Sequence, residues 1–199
     1  MRPTNTKDLG LKKGDALVVV DVQNDFLPGG NLAVPGGDEI VPIINRYIER
    51  LQEKRLPIFA TRDWHPQHHS SFKEKGGPWP VHCVAGSKGA EFHPALRLPD
   101  STVIISKATA MDTDAYSGFE GTDLDDRLRS AGIHRFLIGG LATDYCVLNT
   151  VTDAIKHGYR VLLLQDAIRA VNVKPEDGRR AVAEMIRLGA IPIDCQTLA

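Results

Sequence analysis

The sequence predicts an α/β protein: a three-layer α/β/α, Rossmann-like fold with a six-stranded parallel sheet and helices on both faces. Three observations lead there. Short apolar, β-branched runs recur along the chain, and most are separated by segments whose apolar residues follow helical spacing. The first run, Ala16-Leu17-Val18-Val19-Val20, is continuously apolar, as a strand buried on both faces must be. Strands alternating with helices require right-handed crossovers, which produce a parallel sheet covered on both sides.

Taken in order, residues 1–14 read as a loose lead-in, and the first strand spans Ala16 to Val22 with Asp21 near its C-terminal end. Turn residues follow in Leu27-Pro28-Gly29-Gly30-Asn31 and Pro35-Gly36-Gly37. A helix from Asp38 to Lys54 carries Ile40, Ile43, Ile44, Tyr47, Ile48 and Leu51 on one face. Pro57 to Thr61 is the second strand, and 62–100, dense in Pro, Gly and His, is a long excursion of the functional kind. Thr102 to Ser106 is the third strand, Asp123 to Ala131 a helix, and Arg135 to Ile138 the fourth strand. A helix after Cys146 runs to His157 and stops at Gly158, with Thr143 or Asp144 as N-cap. Arg160 to Leu164 is the fifth strand; Lys174-Pro175-Glu176-Asp177 opens the last helix, with proline in its first turn; Ile191 to Asp194 is the sixth strand.

Composition narrows the function. At 199 residues the chain reads as one domain, 1–199, large enough for a full core. Lys+Arg 24 against Asp+Glu 25 gives a net charge of −1, which offers nothing to nucleic acid or an anionic membrane. The cysteines Cys83, Cys146 and Cys195 are odd in number and irregularly spaced, which points away from a disulfide framework. The N-terminus has no apolar leader, and no run approaches a membrane span. The expectation is a soluble, cytoplasmic protein, with room for a homo-oligomer.

In parallel sheets ligands bind beyond the carboxyl ends of the strands. Asp21, Asp63 with His65, Lys107 and Cys146 lie at or just past four such ends. Cys146 stands where a strand gives way to a helix, where free N–H groups and the helix dipole favour a thiolate. Alone, it would more readily be a packing residue than a nucleophile. With Asp21 and Lys107 on the same rim it suggests a triad in which Asp21 takes the thiol proton and Lys107 holds Asp21. Asp63-Trp64-His65 leaves a strand with two ligand types on one side, and His82 can return as a third. One carboxylate and two imidazoles suit one Zn²⁺, Fe²⁺ or Mn²⁺; His68 and His69 are further candidates. Phe26, Trp79 and Tyr116 are placed to form a slot for a flat ring.

The segments Val20-Asp21-Val22-Gln23-Asn24-Asp25-Phe26, Thr61-Arg62-Asp63-Trp64-His65-Pro66, Trp79-Pro80-Val81-His82-Cys83, Asp114-Ala115-Tyr116-Ser117-Gly118-Phe119 and Gly140-Leu141-Ala142-Thr143-Asp144-Tyr145-Cys146-Val147 resemble the nicotinamidases among the isochorismatase-like hydrolases. The resemblance runs from about Ala16 to the C-terminus. It implies hydrolysis of nicotinamide, and of pyrazinamide, in pyridine nucleotide salvage, through a thioester on Cys146 with Asp21 and Lys107. It also implies one divalent metal ion, zinc foremost, on Asp63, His65 and His82, and a substrate site at Phe26, Trp79, Leu141, Ala142 and Tyr116. The N–H groups of Ala142 and Cys146 would hold the oxyanion, and a cis peptide would precede Ala142. The family often carries glycine after the triad lysine, where Ala108 stands here. Two other readings use the same residues less fully: a metal-free hydrolase of carbamoyl or ureido groups, and a scaffold that has kept the fold.

Overall fold

A computed structural model describes residues 9–198. Six strands form one parallel sheet in the order β3-β2-β1-β4-β5-β6: β1 (Asp15–Val20), β2 (Ile58–Asp63), β3 (Val103–Lys107), β4 (Arg135–Leu141), β5 (Arg160–Arg169) and β6 (Ile191–Ile193). The α-helices are α1 (Val41–Glu53), α2 (Leu124–Ser130), α3 (Leu148–Lys156) and α4 (Asp177–Leu188). The expected fold class is therefore the observed one.

Every residue of β1 is buried, because its odd and even side chains serve different layers. Leu17 and Val19 join Ile44, Tyr47, Ile48 and Leu51 of α1 in one core. Ala16, Val18 and Val20 join Leu124 and Leu128 of α2, Val151 of α3 and Met185 of α4 in the other. The helical stripe read at Ile40, Ile44, Tyr47, Ile48 and Leu51 is wholly buried. Ile43 lies at the edge of that core, only partly covered.

Several boundaries differ from expectation, each for a physical reason. The first strand stops at Val20 because Asp21 takes a left-handed backbone (φ 49°), which turns the chain out of the sheet. β4 and β5 run further than their apolar runs, pairing Gly140 with Ile168 and Leu141 with Arg169 beyond a register shift. Pro175 precedes α4 instead of occupying its first turn, since Glu176, with φ 74°, forms the N-cap. The described part of the lead-in is tied down: Leu9 packs into the first core, and Gly10 O accepts a 2.7 Å bond from Arg135. Residues 1–8 of that lead-in lie outside the described residues.

Register places the site. Val20 pairs with both Thr61 and Gly140, and Asp63 pairs with Lys107, so the strand ends of β1 to β4 meet on one rim. Gly140 makes the close approach possible, for a Cβ there would lie 2.0 Å from Val20 O at a φ of 134°. Gly140→Ala is therefore expected to destabilise the protein by about 3 kcal/mol or more, near the top of the overpacking range. A urea midpoint within error of the parent would refute the close packing of β4 on β1.

Candidate active site

Four neighbouring strands each deliver one group to the rim. Lys107 ends β3, Asp63 ends β2, Asp21 follows β1, and Cys146 lies in the turn after β4. The Lys107 ammonium is the hub. It stands 3.0 Å from Asp21 Oδ2, closer still to Asp63 Oδ1, 3.0 Å from Ala115 O and 3.4 Å from Cys146 Sγ. Thr61 Oγ1 donates a 2.6 Å bond to the other oxygen of Asp21, leaving Oδ2 to face Lys107 and the thiol. Ligand atoms of Asp21, Asp63 and Cys146 all lie within 4.8 Å of one another, all buried.

Electrostatics follow from that burial. Burial alone would strip the proton from Lys107, but the Asp21 and Asp63 carboxylates hold its pKa well above normal. Burial raises Asp21, against the pull of Lys107 and with help from the Asp63 charge. Burial would likewise raise Asp63, yet Lys107 and then His65 bring it below the usual carboxylate range. The Cys146 thiol is pushed well up by burial, opposed by Lys107 and reinforced by both carboxylates. This corrects the expectation of an easily ionised thiol. Cys146 is not ahead of a helix N-terminus but inside a π-helical turn, Thr143–Val147, that α3 continues. Nor do Thr143 or Asp144 cap it: the N-cap is Ala142, with no side-chain bond. Asp144 accepts instead from the N–H groups of Val171 and Asn172, at 2.9 and 2.8 Å. A neutral thiol beside a carboxylate of raised basicity is a donor–acceptor pair ready for proton transfer.

The π turn fixes the backbone around the nucleophile. Tyr145 and Val147 both donate to Ala142 O at 3.1 Å, and the Leu141–Ala142 peptide is cis. Ala108 takes φ 52°, so the position where the family often has glycine is a left-handed one here too.

Beside the triad stand Asp63, His65 and His82, all buried, with ligand atoms within 4.8 Å of one another. Asp63 serves both groups: Oδ1 meets Lys107, while Oδ2 faces His65 Nε2 at 3.6 Å and His82 Nε2 at 3.9 Å. His82 Nδ1 donates to Pro80 O at 2.8 Å, which leaves the Nε2 lone pair turned toward that carboxylate. Among the described residues, neither ring nitrogen of buried His65 has a hydrogen-bond partner. Two imidazoles and a carboxylate oxygen turned toward one another call for a cation between them, so these residues fit a divalent metal.

His69 is placed otherwise. Its Nε2 faces Thr113 O at 3.1 Å and so must donate, which makes Nδ1 the acceptor from Ser71 Oγ at 2.8 Å. Both nitrogens are engaged, and the ring lies against His65 with centroids 4.3 Å apart. His68 is exposed, 3.6 Å from Glu74.

A narrow cleft opens on these groups. Phe26, Trp79, Tyr116 and Ala142 line it with Asp63, His65, His82 and Cys146. Trp79 Nε1 donates to Tyr116 OH at 2.9 Å, closing one wall. Leu141 does not line the cleft; its side chain belongs to the first core. The cleft also takes in Tyr145, Leu32, Val34, Asp114 and Val171, which sequence reasoning did not single out. Tyr145 packs edge-on to Trp79 at 5.0 Å, and its place beside Cys146 was the signal that pointed to it. Leu32 and Val34 were apolar residues in a loop otherwise made of turn formers.

A family model described as the isochorismatase domain matches residues 15–197. The chain belongs to the isochorismatase family. Within that family it is 40% identical over 196 residues to the nicotinamidase of Escherichia coli, covering 88% of this chain and 92% of that protein. The pyrazinamidase of Pyrococcus horikoshii, solved in complex with zinc, is 54% identical with a TM-score of 0.88, covering 91% and 99% of the two chains. An L. infantum structure in complex with nicotinate is 37% identical with a TM-score of 0.87, covering 94% and 96%.

Two predictions test the site's electrostatics and backbone. Lys107→Met leaves two buried carboxylates without their ammonium, so in chelator the protein is expected to lose about 3–5 kcal/mol of unfolding free energy. An unchanged denaturation midpoint would remove Lys107 from its role as hub. Ala108→Gly relieves about 1–2 kcal/mol of left-handed backbone cost and adds about 0.4–1 kcal/mol of unfolded-state entropy. A gain in stability of up to about 1 kcal/mol is expected, and a clear loss would contradict the left-handed assignment.

Proposed function

We propose that this chain is a metal-dependent nicotinamidase, a single-domain amidohydrolase that converts nicotinamide and water to nicotinate and ammonia and also accepts pyrazinamide. The observation that carries the reading is that Asp63 joins a Cys–Asp–Lys triad to an Asp–His–His cluster at one cleft. The metal-free carbamoyl and ureido reading leaves that cluster without a purpose, and a scaffold needs neither group.

The chemistry follows from the groups in place. Asp21 Oδ2, beside both Lys107 and the thiol, accepts the Cys146 proton as Sγ bonds to the carboxamide carbon. The oxygen of that carbon becomes negative and is held by the N–H groups of Ala142 and Cys146. The two bonds into Ala142 O fix the orientation of that part of the turn. Asp21 returns its proton to the amide nitrogen, the C–N bond breaks, and ammonia leaves a thioester. Water activated by Asp21 then attacks, the C–S bond breaks, and nicotinate is released with the thiol restored. Lys107 keeps its charge throughout and steadies whichever of Asp21 or Cys146 is anionic. Asp63, His65 and His82 would hold the metal, zinc foremost with iron and manganese as alternatives, whose chemistry is to bind the pyridine nitrogen. Phe26 and Trp79 flank the ring and Tyr116 braces Trp79. The expected setting is cytoplasmic salvage of NAD precursors.

Purified protein is expected to release ammonia from nicotinamide, to lose that activity on chelation and to regain it with zinc, iron or manganese. Cys146→Ala should cost at least about 10⁴-fold in kcat while its circular dichroism and zinc binding stay unchanged. Metal-independent turnover, or ureido substrates preferred to nicotinamide, would move the assignment to the carbamoyl hydrolases.

A further inference from the structure

The short turn Gln23–Phe26 touches both segments that carry the metal-binding side chains, yet offers no ligand itself. Gln23 is fully buried. Its Oε1 accepts the Asp63 N–H at 2.8 Å, while its Nε2 donates to Asp63 O at 2.8 Å and to Ala90 O at 2.9 Å. The reason lies in the sheet. β1 pairs with β2 only as far as Val20 and Thr61, because the chain turns away at Asp21. Asp63 is left without a strand partner on that side, and the side-chain amide of Gln23 supplies the missing donor and acceptor in place of a peptide group. Two residues on, Asp25 Oδ2 accepts the N–H of Cys83 at 2.7 Å, next to His82, and Oδ1 accepts the N–H of Asn31 at 3.2 Å. The segments are stitched together again where His65 N–H donates to Cys83 O at 3.0 Å. Gly89 closes against the same carboxylate, since a Cβ there would lie 2.1 Å from Asp25 Oδ2.

We infer that Gln23 and Asp25 are positioning residues for the metal: Gln23 fixes the backbone of Asp63, Asp25 fixes that of Cys83 beside His82, and together they set the separation of the ligands. The inference rests on the nicotinamidase reading only in requiring that this cluster hold a metal. A purely structural role would lower stability and leave the metal affinity of the folded protein unchanged. Positioning lowers the affinity itself.

The test measures zinc dissociation constants by chelator competition on the full-length chain, with circular dichroism and nicotinamide turnover recorded alongside. Gln23→Met fills the same space without polar atoms, and Asp25→Ala removes the second anchor independently. Each is expected to stay folded and to bind zinc about 10–100-fold more weakly than the parent. Gln23→Glu, which keeps the acceptor and loses the amide donors, should fall between. Folded Q23M and D25A with affinities within twofold of the parent would overturn the inference while leaving the amidase reading intact. So would failure of all three variants to fold, which would assign both residues to the fold alone. Zinc bound normally by a parent that does not hydrolyse nicotinamide would refute the amidase reading instead, and the variants' affinities would still decide the positioning role. A parent that binds no zinc overturns both.

Discussion

The Lys107 ammonium, buried among Asp21, Asp63, Ala115 O and Cys146, is the interaction on which the rest of the site depends. A lone buried charge is strongly disfavoured, so the group persists only because its partners converge on it. That convergence is a property of the parallel sheet. Adjacent strands lie about 4.8 Å apart, and four neighbours ending on one rim bring four side chains within reach of one another. β3, β2, β1 and β4 supply Lys107, Asp63, Asp21 and Cys146 in that spatial order. The nucleophile needs no exposed, pre-ionised state. The thiol and the Asp21 carboxylate are buried together, and Lys107 lies within reach of both, so it can stabilise the negative charge on either one.

Asp63 ties the two halves of the chemistry together. With one oxygen on Lys107 and the other facing two imidazoles, it belongs to both the triad and the metal cluster. Two carboxylates around one ammonium leave a negative charge in excess when both are ionised, and a divalent cation held on the imidazole side would offset it.

Much of this was legible in the sequence, for reasons that differ by element. β1 and α1 declare themselves because burial on two faces or one stripe leaves a periodic apolar trace. Asp21, Asp63, Lys107 and Cys146 were legible because strand ends are easy to locate and only one rim of a parallel sheet binds ligands. The direction of the Cys146 shift was not legible. It depends on burial and on two carboxylates from other strands, and a π turn cannot be told from the start of an ordinary helix by apolar spacing. Leu141 was expected at the substrate site from the family resemblance, but alternation along β4 sends its side chain into the core. The engagement of His69 Nε2 depends on Thr113, which lies across a loop, where no spacing rule reaches.

The long connection from β2 to β3 shows how the fold makes room for the site. In a regular crossover an α-helix would cover the sheet here and satisfy its own backbone. Residues 64–102 contain no α-helix, and only two short 3₁₀ turns, at Lys73–Lys75 and Lys88–Ala90, interrupt the loop. The loop instead sends His65, Trp79 and His82 over the strand ends. The loop closes many of its backbone bonds in short turns of its own, and polar side chains outside the metal-binding set tie it to the rest of the rim. Gln23 donates to Ala90 O, Asn24 donates to Lys88 O at 2.8 Å, Asp25 accepts from the Cys83 N–H, and His69 of the loop faces Thr113 O. The Gln23-Asn24-Asp25 stretch thus anchors a loop that, in place of a helix, carries His65, His82 and the aromatic wall over the strand ends.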